Sequence, residues 1–223
     1  MRFFDRYSQI SIGKLITART TDELVENLKE TEYYAPLKKI KDTDNVTLYD
    51  YNLALDLYYY TSTWKEQKKI LKKSDLELFM RDRGSKIDLL NIQWIYRAKK
   101  YYNMKPADIY LMLIPIHYKL STELVKDMVE APGVEEFENV VIRTTYARHY
   151  NFKQNLTMEQ MYADCLHHLY TADRRKNPYS VSAINTYLFL KEEELKKLTT
   201  VMECVRYGLN PGETAAYIGG RTR

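Results

Sequence analysis

A chain of 223 residues can bury one large core or two modest ones, and its 34 basic and 30 acidic side chains leave a net charge of only +4, too even a balance to argue for nucleic acid. Seven glycines and six prolines are few for a many-turned β-sandwich and suit long helices, while two cysteines supply neither a disulfide framework nor a zinc quartet. No run of eighteen apolar residues is present to span a bilayer, and the start MRFFDRYSQIS lacks an apolar core long enough for a signal peptide, so a soluble protein of a reducing, cytoplasmic compartment is expected.

From the N-terminus, residues 7–18 read as a first helix with Ile10, Leu15 and Ile16 inward. Thr20 to Glu23 has the pattern of a capping box, in which the Thr20 hydroxyl accepts the free amide of Glu23 and the Glu23 carboxylate reaches back. Leu24, Val25 and Leu28 form the inner face of the helix that follows, which is expected to end near residues 31–34, ahead of Pro36. Residues 52–71 form a long helix with Leu53, Leu57, Tyr60 and Trp64 as its stripe. Residues 76–102 hold a short helix, a break at Gly84-Ser85 and a second helical stretch. A helix over 106–113 ends at Pro115, another covers Thr122–Glu130, and Ala131-Pro132-Gly133 turns the chain into the next. Residues 158–170 carry Met161, Cys165, Leu166 and Leu169 inward, and Pro178 opens the last long pair. There, Leu195, Leu198, Val201, Met202 and Val205 recur at steps of three and four and draw one apolar stripe. Lys191, Glu192, Glu193, Lys196 and Lys197 fill the other side, with Glu192–Lys196 and Glu193–Lys197 at the i,i+4 spacing. Gly208 can take the left-handed position that halts this helix, and Pro211 cannot continue it. Residues 219–223 are expected to fray. No strand is read, and the fold class is all-α.

Two stretches of the chain return. A shift of 106 carries Asp88-Leu89-Leu90-Asn91-Ile92 onto Glu194-Leu195-Lys196-Lys197-Leu198, Ile95 onto Val201, Lys100 onto Arg206 and Tyr101 onto Tyr207, with Pro106 and Pro211 following at 105. A shift of 113 carries Ala18 onto Ala131, Asp22-Glu23-Leu24 onto Glu135-Glu136-Phe137, Leu28 onto Val141 and Tyr33 onto Tyr146. A period above 100 excludes short solenoid repeats and predicts two tandem, structurally similar helical bundles, residues 1–113 and 114–223.

No residue is assigned to catalysis, to a cofactor or to a metal. Asp164, Cys165, His167 and His168 are candidate ligands, yet zinc needs three or four converging donors, and only His117 and His149 remain elsewhere as imidazoles. Cys165 is read as core rather than nucleophile, because a helix points residue i+2 away from it. Glu192-Glu193-Glu194 among lysines is a solvated face, and Gly219-Gly220 lacks the lysine and hydroxyl of a phosphate loop. The 21 tyrosines, interleaved with Arg97, Lys99 and Lys100, could stack the bases of a single strand. Without a basic cluster free of acids, packing and protein contact are the favoured reading.

Tyr187-Leu188, Leu190-Lys191-Glu192, Glu194, Val205-Arg206-Tyr207-Gly208-Leu209 and Pro211 together resemble the C-terminal signature of the C subunit of V/A-type ATPases, called the d subunit in eukaryotes. Asp88-Leu89-Leu90-Asn91-Ile92, Trp94-Ile95-Tyr96-Arg97, Lys99-Lys100-Tyr101-Tyr102, Ile114-Pro115, Tyr118-Lys119-Leu120 and the step from Thr144 to Tyr146 resemble that family's internal copy of the motif. The likeness runs over about residues 16–218. It implies a funnel-like, all-helical protein of three similar domains, of which two are visible here and the N-terminal one has no counterpart. It also implies a role without catalysis or cofactor, as the central-stalk connector that joins the rotor shaft (the D and F subunits) to the membrane proteolipid ring. The connector is peripheral to the cytoplasmic face, passes torque during coupled ATP hydrolysis or synthesis and ion transport, and has the membrane stator as a possible neighbour. The repeated positions Asp88, Arg97, Lys100, Tyr101, Glu194, Arg206 and Tyr207 are read as structural, with acids and bases pairing within or between repeats; contacts to shaft or ring are not assigned. The reading of a different class is a helical adaptor that binds a peptide or RNA through its tyrosines.

Overall fold

Eleven helices and no strand occur among the residues described by the computed structural model, which are 10–43, 46–71, 73–147, 158–176 and 178–218. In chain order they are α1 (Ile12–Thr17), α2 (Thr21–Asn27), α3 (Tyr34–Lys41), α4 (Leu48–Ile70), α5 (Lys73–Lys100) and α6 (Pro106–Met112). There follow α7 (Thr122–Glu130), α8 (Val134–Ile142), α9 (Met158–Lys176), α10 (Val181–Arg206) and α11 (Pro211–Tyr217). The chain divides into two compact units, Met1–Glu66 and Gln67–Arg223. The boundary proposed from the sequence repeat, at 113/114, lies inside the second of them, between α6 and α7.

In the first unit, Val25, Leu28 and Leu37 are buried beneath Leu15, Leu24, Tyr33, Tyr51 and Leu55. Thr20 caps α2 as expected, its Oγ1 accepting the Glu23 amide at 3.1 Å; the Glu23 carboxylate reaches one residue further back than a capping box requires, to the Arg19 amide at 2.9 Å. Pro36 does not stop a helix. It is the third residue of α3, where its missing N–H would have had no partner in any case. Residues 7–9 of the expected first helix lie outside the described residues, and α1 starts at Ile12. Helix α4 begins earlier than expected, at Leu48, because the Asp50 carboxylate gathers the Thr47 amide (2.8 Å) and hydroxyl (2.7 Å) at its start. Those bonds hold the Asp50 carboxyl below its ordinary range.

The second unit is arranged around α5, which packs against α6, α7, α8, α9 and α10. Its inner residues Leu89, Ile92, Ile95, Tyr96 and Ala98 meet Ile109, Val125, Met128, Phe137 and Val141 from α6–α8, and Met161, Leu166, Tyr170 and Phe189 from α9 and α10. Each of the buried Leu, Ile, Val, Met and Phe side chains among them contributes on the order of 1.5–3 kcal/mol by leaving water.

The expected break at Gly84-Ser85 is absent: α5 runs unbroken through both residues. Gly84 is small because of a neighbour rather than a kink. A Cβ built there would lie 2.6 Å from Tyr118 Cγ and 2.7 Å from its Cβ. Propensity alone favours alanine in a helix interior by about 1 kcal/mol, but atoms so close to the backbone of Tyr118 cannot swing aside. Gly84→Ala is therefore expected to destabilise the unit by about 1–3 kcal/mol, read as a lowered urea midpoint. In a Tyr118→Gly background the same substitution should become neutral or stabilising.

The chain beyond α9 shows dense capping. Ser180 Oγ accepts the Ser182 amide (3.2 Å) ahead of α10. At the other end Gly208 has φ +72°, the Leu209 amide bonds Cys204 O and the Gly208 amide bonds Val205 O, both at 3.0 Å, which is a Schellman stop. Pro211 then opens a helix as its first residue, with Asn210 and Glu213 in a reciprocal capping box at 2.9 Å each way.

Candidate functional site

The residues that carry the sequence motif around Asp88 meet in space. Asp88 is fully buried on α5; its Oδ1 accepts the Tyr118 amide at 3.0 Å, and its Oδ2 accepts the Lys119 amide (2.7 Å), the Leu120 amide (3.2 Å) and the Tyr146 hydroxyl (2.7 Å). Asn91, three residues on and so on the same face of the helix, donates to Ile114 O and accepts from Ile114 N, both at 3.0 Å. Residues 114–120 form neither helix nor strand, so their buried amides need partners from elsewhere, and α5 supplies them. Burial first, and the Asp88 charge second, push the Tyr146 hydroxyl far above its ordinary range, which keeps it a donor. Lys99 adds a third tie, its Nζ donating to Val129 O (2.7 Å) and Ala131 O (2.6 Å) at the end of α7. This is a fastener: both Asp88 oxygens are taken up by backbone amides and the Tyr146 hydroxyl. The partners of Asp88 are backbone amides and a tyrosine, and no cation is among them.

The other repeated positions lie on the surface. Lys100 Nζ reaches the Tyr96 hydroxyl at 2.5 Å and sits 4.9 Å and 5.5 Å from the ring centres of Tyr96 and Tyr101. Arg97, Tyr101, Arg206 and Tyr207 are exposed, and Glu194 is exposed and bonded to Lys191 at 2.6 Å. The pairs on α10 are Lys191–Glu194 and Glu193–Lys196, at i,i+3 spacing instead of the expected i,i+4. Such surface pairs contribute at most about 1 kcal/mol.

Asp164, His167 and His168 are exposed, and among the described residues no three metal-ligating side chains cluster. The Cys165 thiol lies 3.7 Å from Tyr146 O, and burial, with the Asp164 charge in second place, pushes it up to about 11; at neutral pH it is a thiol, not a thiolate. Gly219 and Gly220 lie outside the described residues.

What the second unit leaves open is one face of α10. Val181, Ile184, Leu188, Leu195, Leu198, Met202 and Val205 are between 42% and 71% exposed. The sequence placed the last four of these on an apolar stripe; the structure leaves that stripe uncovered and extends it towards the N-terminus. Its steps of three and four, with Lys191 filling the one gap, are those of the a and d positions of a coiled coil. At 1.5 Å per residue the row is about 36 Å long. The positions that the 106-residue shift pairs with it behave oppositely: Leu89, Ile92 and Tyr96 are buried, whereas Leu195, Leu198 and Met202 face solvent. Alongside, Leu190, Leu198 and Val201 with His167 line a shallow groove of about 470 Å³. Counting heptads back from Val205 would have found Val181, Ile184 and Leu188 from the sequence; Asp88's partners carried no such signal.

The sequence profile of the ATP synthase (C/AC39) subunit matches residues 1–217. Among curated relatives, the C subunit of the A-type ATP synthase of Methanosarcina mazei is 31% identical over 140 residues, covering 63% of this chain and 37% of that protein. The corresponding C subunit of Methanosarcina barkeri is 25% identical over 210 residues (92% of this chain, 56% of that protein), and that of Pyrococcus abyssi 24% over 241 residues (93% and 57%). The chain thus spans little more than half the length of these two relatives. No solved structure matches.

Proposed function

This chain belongs to the ATP synthase (C/AC39) subunit family, and from that premise we propose that it is a non-catalytic connector in the central stalk of a V/A-type rotary ATPase. In this reading it sits against the cytoplasmic face of the membrane, receives the rotor shaft (the D and F subunits) and couples it to the proteolipid ring, so that torque passes through it during ATP hydrolysis or synthesis and ion transport. It works without a cofactor.

The observation that supports this reading is the open row on α10. An apolar face this long is unusual on a monomer and marks a contact surface. Its heptad spacing suits a helix of the shaft, since knobs from one helix fill holes on the other and interdigitated side chains resist sliding. Stiff backing is needed for that load, and α5, fastened through Asp88, Asn91 and Lys99, supplies it behind α10. No helix among the described residues is long and apolar enough to cross a membrane, which fits a component that borders the ring.

The test is binding of the chain to the purified D–F shaft. Leu195→Glu together with Leu198→Glu buries two unpaired charges in the contact and should weaken binding at least about 100-fold, or about 2.7 kcal/mol, with helical content unchanged because both side chains already face solvent. Unchanged affinity would refute the assignment of this face, and lack of any binding by the parent chain would refute the shaft as partner.

A further inference from the structure

Where α5, α9 and α10 meet, two carboxylates are buried side by side. Asp82 of α5 is 1% exposed and Asp173 of α9 is 3% exposed. Asp173 is well served: Arg81 Nε donates to its Oδ2 at 2.8 Å, and Arg81 Nη2 closes on its Oδ1. Neither oxygen of Asp82 receives a hydrogen bond. The groups acting on Asp82 are Asp173 from α9, Asn185 from α10 and Arg81 on its own helix; one turn further along α5, Lys86 lies in the field of Glu192, Glu193 and Lys196 from α10 and of Arg83. One guanidinium therefore faces two carboxylates, and the one it does not pair with has only the Asn185 amide, short of hydrogen-bond geometry, to favour its charge. Ionised, Asp82 would be a desolvated charge beside a like charge. With a proton on it, its O–H becomes the missing donor towards Asp173, and the cluster is neutral.

We propose that Asp82 and Asp173 hold one proton between them, and that this shared proton is a latch fastening α5 to α9, the two helices against which α10 packs. Burial first, then the hydrogen bond and charge of Asp173, raise the Asp82 carboxyl to about 8, against a smaller opposing pull from Asn185 and Arg81. The folded value thus lies above the unfolded one, near 4. The latch is complete below about pH 4, and its contribution falls as pH rises, by up to tenfold in the folding constant per unit, levelling off above about pH 8. The device needs no partner, so it stands or falls separately from shaft binding.

The experiment compares the full chain with Asp82→Asn, whose amide carries no charge at any pH. From pH 5 to pH 8 the ratio of folding constants, variant over parent, should climb by up to about tenfold per unit. In parallel, a carboxyl-carbon NMR titration of the ¹³C-labelled parent should show one aspartate with a midpoint near 8 that the variant lacks; if the variant does not fold, this resonance in the parent decides alone. Parallel stability curves, or a parent in which every aspartate titrates in the ordinary carboxylate range, would overturn the proposal.

Discussion

Asp88→Ala is expected to destabilise the second unit by about 3–5 kcal/mol. The substitution removes one acceptor side chain and strands three backbone amides and a tyrosine hydroxyl, of which the Leu120 amide and the Tyr146 hydroxyl are in fully buried surroundings. Each buried orphan costs roughly 1–3 kcal/mol, and bonds to a charged acceptor lie at the upper end. Against a total of about 5–15 kcal/mol for a domain, the loss leaves a marginal fold. Asp88→Asn keeps the shape but offers one acceptor oxygen where there were two, so about half the loss is expected. Tyr146→Phe, which removes one donor and leaves the three amides satisfied, should cost about 1 kcal/mol. Urea unfolding of the three variants checks the order Ala, Asn, Phe. An Asp88→Ala protein as stable as its parent would show that the fastener is dispensable.

Phe137→Ala should cost a similar amount by a different route, about 3–5 kcal/mol. The ring is fully buried on α8, its centre 6.0 Å from that of Tyr96, in the layer where α5 meets α7 and α8. Alanine opens a ring-sized space whose walls are other helices, and the end of one of them, α7, is tied to α5 through Lys99. A fastened wall collapses poorly into a cavity, which argues for the upper half of the range. Phe137→Leu keeps most of the volume and should lose less than about 1.5 kcal/mol. Thermal melts of both variants distinguish a packed core from a loose one: a core that relaxes freely would bring the two close together.

The helical fold was legible because its periodicities are strong and its punctuation explicit. Thr20 and Gly208 could be read as a cap and a stop from their identities, and both hold those posts. Pro36 and Gly84 carried the same kind of signal and misled, for reasons that are tertiary or positional. A proline in a first turn breaks nothing, and Gly84 is dictated by Tyr118, 34 residues away in the chain. The stripe on α10 shows the limit most clearly. A row at steps of three and four announces that a helix has an apolar face, but burial depends on what else folds against it, which the row itself does not contain. The clamp was half legible. Asp88 drew notice as a repeated acid, yet its partners are backbone amides, which no residue alphabet records. Asp82 gave no sign at all, being one charged residue in a run of charged residues until burial sets it apart.

Lys191 sits in the open row where a d-position side chain belongs, held by Glu194 at 2.6 Å. It divides the row into an N-terminal block of three apolar residues and a C-terminal block of four. A helix laid along the face would find low energy only where something polar meets the ammonium, and a slide of one heptad, about 10 Å, would set a leucine against it instead. In the connector proposed above, the lysine would act as an index mark. It would weaken the grip a little and in exchange admit a single alignment, and a coupling that turned under load would depend more on never skipping a tooth than on holding tightly at any one of them.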